Sequence, residues 1–329
     1  MTRHSGLLLV SSLGVISSGV ACSLSNLDAI TSKPAGAGGL GGTSIGGAGT
    51  TGADGAAGTT ATLACPRPAL KPGDTNETVQ VDSLSRSYFL HVPPTYDGTR
   101  PVPLVVDFHL LGNSGEQEQR ISPFPAVANP EGVIIAFPDG QVGPAGTAWN
   151  VGPCCVEQDV DDVAFAKALV EQLRTKACID AKRVYAVGYA IGGGMAHYLG
   201  CHAADVFAAI VPVGFDLLEE NVDDCRPTRP ITVVSIRELS DVAVPYGGGD
   251  WTMVPGMPVT LLGAEATFTR WAEINHCTGS PSAEDGNGCA TYDTCDGGVE
   301  VVLCTKTAGV PVPDNASIAW PILQRHPMP

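Results

Sequence analysis

One segment has the residue spacing of a catalytic turn. Residues 183–201 read RVYAVGYAIGGGMAHYLGC, which predicts a strand, a sharp turn and a helix. Gly188 and Gly192 flank the turn with the spacing of Gly-x-Ser-x-Gly, in which a strained backbone holds a nucleophilic serine above a sheet. The central residue here is Ala190. Its methyl group has no proton to give up and cannot attack a substrate, so the sequence predicts a serine-nucleophile site without its nucleophile.

Strands and helices alternate around this turn. Short apolar runs predict buried strands at residues 86–93, 103–110, 132–140, 207–214, 231–236 and 298–306. Apolar residues at helical spacing predict helices at residues 159–177, 191–201 and 264–276. This alternation predicts an α/β fold, in which a mostly parallel central sheet carries helices on both faces.

The charge of the chain excludes some classes of partner. Its 329 residues include 34 acidic side chains and 18 Lys and Arg side chains, for a net charge of −16. An acidic chain without a basic run repels nucleic-acid phosphates and anionic lipid headgroups. We therefore expect no nucleic-acid partner, and membrane contact only through a lipid anchor.

The first residues predict export. Arg3 precedes an apolar run that is too short to span a bilayer and ends in small residues. We interpret residues 1–21 as a lipoprotein-type signal peptide and Cys22 as the lipid-anchor site, with ordinary cleavage nearby as the alternative. Residues 22–64 are rich in Gly, Ala and Thr and predict a disordered tether. The folded domain is predicted to comprise residues 65–329.

Ten cysteines follow Cys22, an even number that predicts disulfide bonds in an exported chain. They are Cys65, Cys154, Cys155, Cys178, Cys201, Cys225, Cys277, Cys289, Cys295 and Cys304. No Cys-x-x-Cys pair occurs, and the adjacent cysteines at 154 and 155 suit neither one tetrahedral metal ion nor a bridge to each other. We predict five bridges and no metal site. The two specific pairings that we predict are Cys201–Cys225 and Cys277–Cys304.

Several blocks of the sequence resemble one enzyme family, in the family's own order. Besides the turn around Ala190, they are AWNVGPCC at 148–155, DVDDVAFA at 159–166, CRPTRPITVV at 225–234, DVAVPYGGG at 241–249 and RWAEINHC at 270–277. From about Ser85 to Trp320, the chain is similar to secreted polyhydroxybutyrate depolymerase-like and feruloyl esterase-like enzymes. The resemblance implies an α/β-hydrolase fold and an ancestor that cleaved esters with a Ser-His-Asp triad.

The same resemblance assigns positions to the acid and the base of the triad. Asp241 matches the orienting acid. The base falls at Pro311 or, in a second alignment, at Ile318, and neither residue is histidine. Only His326 follows, and we interpret it as an exposed terminal residue. Arg237 stands where the family has a histidine near the acid, and it is a candidate partner for Asp241.

Two backbone N–H groups would bind the oxyanion in this family. They fall at Leu110, where the family has glycine, and at Ile191, the residue after the nucleophile position. A leucine restricts the backbone where glycine would leave it free. We interpret the preceding His109 as a packed residue, because its catalytic partners are missing.

These residues favour an exported member of the esterase family that has lost catalysis, with a ligand-binding or surface role. The alternative is an active carboxylic-ester hydrolase with displaced catalytic groups. We expect no cofactor, a monomer, and an ester or polysaccharide as the candidate ligand. The expected location is the outer membrane or cell surface for a lipoprotein, and otherwise the periplasm or the medium.

Overall fold

A computed structural model describes residues 65–156, 159–307 and 314–329. The strands of this part of the chain are β1 Gly73–Val81, β2 Leu84–Val92, β3 Val102–Phe108, β4 Ile134–Pro138, β5 Gln141–Gly143, β6 Gly146–Ala148, β7 Ile179–Tyr189, β8 Ala209–Val213, β9 Thr232–Glu238, β10 Gly249–Trp251, β11 Val259–Leu261, β12 Cys289–Tyr292 and β13 Val301–Lys306. The helices are α1 Gly115–Ile121, α2 Phe124–Ala128, α3 Asp162–Lys176, α4 Ile191–His202, α5 Ala264–Ile274 and α6 Asp314–Arg325.

Nine strands form one sheet in the order β1-β2-β4-β3-β7-β8-β9-β13-β12. The six strands from β4 to β13 run parallel to one another. The edge strands β1, β2 and β12 pair in the antiparallel direction. The predicted mostly parallel sheet is therefore confirmed. The sequence analysis did not predict β1, β12 or the small hairpins β5–β6 and β10–β11, because none of them contains a long apolar run.

Helices cover both faces of the sheet, as the alternating pattern predicts. On one face, α3, α4 and α5 bury Leu169, Leu199 and Trp271 against the strands. On the other face, α2 and α6 contribute Phe124 and Trp320 to a second core. The sheet is thus enclosed by two apolar layers, which fixes the positions of the loops at its edge.

The two-residue period of the strands decides which side chains face each layer. In β3, Leu104 and Val106 belong to the core under α3, α4 and α5. Asp107 has the opposite phase and lies on the α2 and α6 side, as do Tyr189 at the end of β7 and Val213 at the end of β8. Three neighbouring parallel strands therefore bring these residues together at their carboxyl ends.

The ten predicted disulfide cysteines form five bridges. The pairs are Cys65–Cys178, Cys154–Cys155, Cys201–Cys225, Cys277–Cys295 and Cys289–Cys304. The predicted Cys201–Cys225 pairing is confirmed. Five bridges are typical of a protein that folds in an oxidising compartment.

Two predictions about the cysteines are wrong. Cys277 does not pair with Cys304, because β12 pairs with β13 in a register that sets Cys289 directly opposite Cys304. The adjacent Cys154 and Cys155 do bridge each other. Their peptide bond is cis, and their Cα atoms lie 3.2 Å apart.

Several predictions lie outside the described residues. They are the signal peptide at 1–21, the anchor at Cys22, the tether at 22–64 and the base position at Pro311. Within the described ranges, no helix is both long enough and apolar enough to cross a bilayer.

Candidate active site

The turn at Ala190 has the geometry of a nucleophile elbow. Strand β7 ends one residue before Ala190 and helix α4 begins one residue after it. Ala190 has φ of 51° and ψ of −121°, a conformation that costs a non-glycine residue about 1–3 kcal/mol. Its N–H donates to the carbonyl of Val213 at 2.8 Å, and its carbonyl accepts from Gly194 at 3.1 Å. The structure thus has a strained strand–turn–helix, with a methyl group at the apex.

The two flanking glycines are required by close backbone packing. A Cβ atom on Gly188 would lie 2.3 Å from the carbonyl oxygen of Gly192. A Cβ atom on Gly192 would lie 1.9 Å from the carbonyl oxygen of Phe108. Both distances are far below van der Waals contact, so these positions need glycine whether or not the elbow carries a nucleophile.

The loop after β3 forms the second wall of the site. The imidazole of His109 is fully buried and packs on Trp149, with ring centroids 4.8 Å apart. Its Nε2 accepts from the N–H of Gly140 at 2.9 Å, so its Nδ1 carries the proton and donates to the carbonyl of Leu110 at 2.7 Å. Burial also lowers its pKa. Both ring nitrogens are occupied, which leaves His109 no atom to accept a proton from a bound ligand.

The predicted oxyanion donors lie at the edges of this loop and of α4. Ile191 is the first residue of α4, where backbone N–H groups point out of the helix. Leu110 does not have a positive φ, so the loop accommodates leucine without strain. The N–H of Leu110 donates to the carboxyl group of Glu118 on α1. One of the two donors is therefore engaged by an acidic side chain of the protein itself.

Asp241, the predicted acid, follows the end of β9. Its Oδ1 accepts from the N–H groups of Ala243 and Val244, at 2.9 Å each. These two bonds cap the turn that contains the residue. The negative charge of Asp241 contributes to the raised pKa of Tyr189, after the larger effect of burial.

The suggested pairing of Arg237 with Asp241 is wrong. Arg237 is fully buried in β9 and forms its ion pair with the equally buried Asp216, which follows β8. Its Nη2 also donates to the carbonyl of Val244 at 2.7 Å. Burial explains why Arg237 pairs with Asp216. Without a cation, the buried carboxylate of Asp216 would be an uncompensated charge, whereas the half-buried Asp241 already accepts from backbone N–H groups.

The structure supplies no histidine to Asp241 among the described residues. Ile318, the second alignment for the base, lies in α6 and packs against the core of that face. His326 is not an exposed terminal residue, because its side chain is only 12% accessible and contacts Glu300. Two other buried or half-buried imidazoles are used elsewhere: His197 binds Trp271 and His91 binds Asn129.

Comparisons with known proteins identify the lineage of the chain. No family model matches it. Feruloyl esterase B from Piromyces equi is 40% identical over 247 residues, which cover 74% of this chain and 46% of that protein. The putative esterase NocK from Nocardia uniformis subsp. tsuyamanensis is 31% identical over 264 residues, 74% of this chain and 75% of that protein.

The chain belongs to the feruloyl esterase-like α/β-hydrolase family. It spans about half the length of the Piromyces relative.

Solved structures confirm the predicted fold of this feruloyl esterase-like chain. Acetyl xylan esterase from Aspergillus awamori aligns with a TM-score of 0.55 at 14% identity, over 75% of this chain and 98% of that one. A thermostable esterase aligns with a TM-score of 0.52 at 17% identity, over 77% of this chain and 63% of that one. At these identities, the likeness concerns the fold alone.

Two residues beside the elbow of this feruloyl esterase-like protein escaped the sequence analysis. Asp107 and Glu118 are both only 3% exposed. Asp107 is a charged residue inside the otherwise apolar run of β3, and its side chain lies on the same face of the strand as Val105 of the second core. A carboxylate within a buried strand was the feature of the sequence that could have identified it. Glu118 carries no such signal, because α1 has only seven residues and no long apolar face. No group of three or more His, Cys, Asp or Glu side chains in the described ranges could hold a metal ion.

Proposed function

We propose that this protein is an exported member of the feruloyl esterase-like family that does not hydrolyse esters and that acts by binding a ligand. The observation that carries the proposal is Ala190 at the apex of the elbow. An elbow presents a single side chain above the sheet, and a methyl group cannot form an acyl-enzyme.

The neighbouring side chains support loss of ester hydrolysis. Catalysis by this fold needs N–H donors aimed at a developing negative charge. Here the N–H of Leu110 already donates to the carboxyl group of Glu118. An oxyanion would therefore have to compete with this carboxyl group for the N–H of Leu110, which weakens its stabilisation.

Other side chains near the elbow do not supply a substitute nucleophile. The hydroxyl of Ser240 donates to Glu238 at 2.6 Å and is held in its own exposed loop. Tyr189 is 37% exposed, but burial of its ring and three nearby carboxylates raise the pKa of its hydroxyl. A phenol with a raised pKa is a weaker nucleophile at neutral pH.

The proposal includes the cellular location. The five disulfides support an oxidising compartment outside the cytoplasm. The sequence of residues 1–22 supports export and a lipid anchor at Cys22, with the tether at 22–64 holding the domain away from the membrane. Mass spectrometry of the purified native protein tests the anchor, because a diacylglyceryl group on Cys22 has a distinct mass.

Ester hydrolysis is tested with p-nitrophenyl butyrate and methyl ferulate, and covalent labelling with a fluorophosphonate probe. We expect no turnover and no labelling above a heat-treated sample. Ala190→Ser should give none either, because no described histidine lies in hydrogen-bonding contact with the elbow to activate the hydroxyl. Turnover that maps to a labelled residue would contradict the proposal and favour an esterase with displaced catalytic groups.

A further inference from the structure

A cavity lies beside the elbow, on the α2 and α6 side of the sheet. Its volume is about 130 Å³. Its walls are largely apolar and include Phe124, Val213 and the ring of Tyr189. Ile121 is 54% exposed at its rim, so the cavity opens to solvent. An apolar cavity of roughly 150 Å³ is known to hold a benzene ring, so this one has room for a single six-membered ring.

Two carboxyl groups line this apolar cavity without a cation. Asp107 and Glu118 are each only 3% exposed, so both are more than nine-tenths buried. Asp107 accepts from the hydroxyl of Ser122 at 2.5 Å. Glu118 accepts from the N–H of Leu110, while its Oε2 has no hydrogen-bond partner in the described part of the chain. No described Lys, Arg or His side chain forms an ion pair with either carboxyl group.

The charges around the mouth of the cavity are also negative. The pKa of Tyr189 is raised by burial, then by the charges of Asp241, Glu238 and Glu118. The buried cation Arg237 is paired with Asp216 instead. The two other buried carboxylates in the described ranges each have a cation: Asp162 has Arg86 at 2.7 Å, and Asp216 has Arg237. The carboxyl groups of the cavity and its mouth would therefore stabilise a bound cation, and no described side chain supplies one.

We propose that this cavity binds a small monocation that joins one apolar ring or branched alkyl group to a primary ammonium. The ring would fill the space between Phe124 and Tyr189, and the ammonium would donate to Asp107 and to the free Oε2 of Glu118. Pockets of this kind combine apolar walls with a few polar groups that fix orientation. The inference stands whether or not the elbow has kept any esterase activity.

The acidity of the two carboxyl groups sets the pH dependence of binding. Burial raises the pKa of Asp107 to about 7. Burial and the charge of Asp107 raise the pKa of Glu118 to about 8. Both groups lose their protons as the pH rises through this range, so their attraction for an ammonium ion increases.

Isothermal titration of the whole protein with benzylammonium chloride and with benzyl alcohol tests the proposal. Benzylammonium should bind at least about tenfold more tightly at about pH 8.5 than at about pH 6, and at least about tenfold more tightly than the neutral alcohol at the higher pH. Glu118→Gln should reduce both differences, because it removes one of the two carboxyl groups that accept from the ammonium, while Asp107 still titrates. Glu116→Gln is the matched control, because Glu116 is an exposed residue of the same helix.

Three outcomes would overturn the proposal. They are equal binding of the alcohol and the ammonium at the higher pH, an affinity that does not rise with pH, and an equal loss in the Glu116 and Glu118 variants. Should Glu118→Gln fail to fold, the first two measurements on the unmodified protein still decide. Displacement of an amide resonance of Tyr189 or Val213 on titration would separately place benzylammonium in the cavity.

Discussion

The elbow around Ala190 and the loop around Asp241 meet at one edge of the sheet, yet they differ from the predicted catalytic pattern in opposite ways. The elbow has the backbone of a nucleophile site without its reactive side chain. The loop around Asp241 has the predicted acid, and the neighbouring Arg237 in β9 pairs with Asp216. The elbow thus has the backbone conformation of a nucleophile site but no nucleophile. The loop has a carboxylate, Asp241, but no histidine beside it among the described residues.

Packing explains this difference. Cβ atoms at Gly188 and Gly192 would collide with backbone oxygens, so the elbow must keep its glycines to fold at all. The positions after β9 have no such restriction, since their side chains meet solvent or other side chains. Buried charge differs between the regions as well. Arg237 and Asp216 compensate each other, whereas Asp107 and Glu118 beside the elbow have no cation.

The largest effect is expected from breaking the compensated pair. Arg237→Met should destabilise the protein by about 3–5 kcal/mol, because it leaves Asp216 buried without a counter-charge. Urea unfolding followed by circular dichroism measures the loss. Arg174→Met is the control, since Arg174 pairs with Glu171 on an exposed face of α3, and it should cost about 1 kcal/mol or less.

Equal losses in the two variants would show that the buried Arg237–Asp216 pair contributes no more than a surface pair. The double variant Arg237→Met with Asp216→Leu separates the two explanations. We expect it to recover much of the lost stability, because apolar residues can replace a buried ion pair without a large penalty.

The uncompensated pair should make stability depend on pH. The pKa values of Asp107 and Glu118 are raised to about 7 and about 8, from ordinary values of 3.8 and 4.5. Between these limits, the folded protein binds more protons than the unfolded chain. The free energy of unfolding therefore falls as the pH rises through this window, by up to about 1.4 kcal/mol per pH unit for each group.

Urea titrations at about pH 5 and about pH 8 measure this slope. Glu118→Gln removes one of the two titrating groups and should flatten it, whereas Glu116→Gln should leave it unchanged. A slope that is identical in all three proteins would mean that Glu118 keeps an ordinary pKa. The carboxyl groups beside the elbow would then destabilise the folded protein no more than the compensated Arg237–Asp216 pair does.

The sequence predicts much of this fold for physical reasons that can be named. The strands β3, β7, β8 and β9 are apolar runs, and Ala190 follows from the spacing of two glycines. The helix predicted at 159–177 is present as α3, where Asp161 is the cap and its side chain accepts from the N–H of Ala164 at 2.7 Å. These features are local, so their signal is contained in a few neighbouring residues.

Long-range features escaped prediction because they depend on register. Cys304 bridges Cys289 only because β12 and β13 pair with those residues opposite each other. Glu118 reaches the N–H of Leu110 only because α1 folds back over the end of β3. Likewise, the partner of Arg237 is decided by the neighbouring strand β8. None of these contacts can be inferred from spacing along the chain.

The smallest effect tests whether the elbow is strained independently of catalysis. Ala190→Gly should stabilise the protein by about 1 kcal/mol, because relief of about 1–3 kcal/mol of strain exceeds the entropic cost of a glycine. Ala266→Gly, at an exposed position inside α5, should destabilise it by about 1 kcal/mol. The same substitution is thus expected to have opposite signs at the two sites. If both variants lose stability in urea unfolding, the turn at Ala190 stores no strain, and the glycines at 188 and 192 alone account for the shape of the elbow.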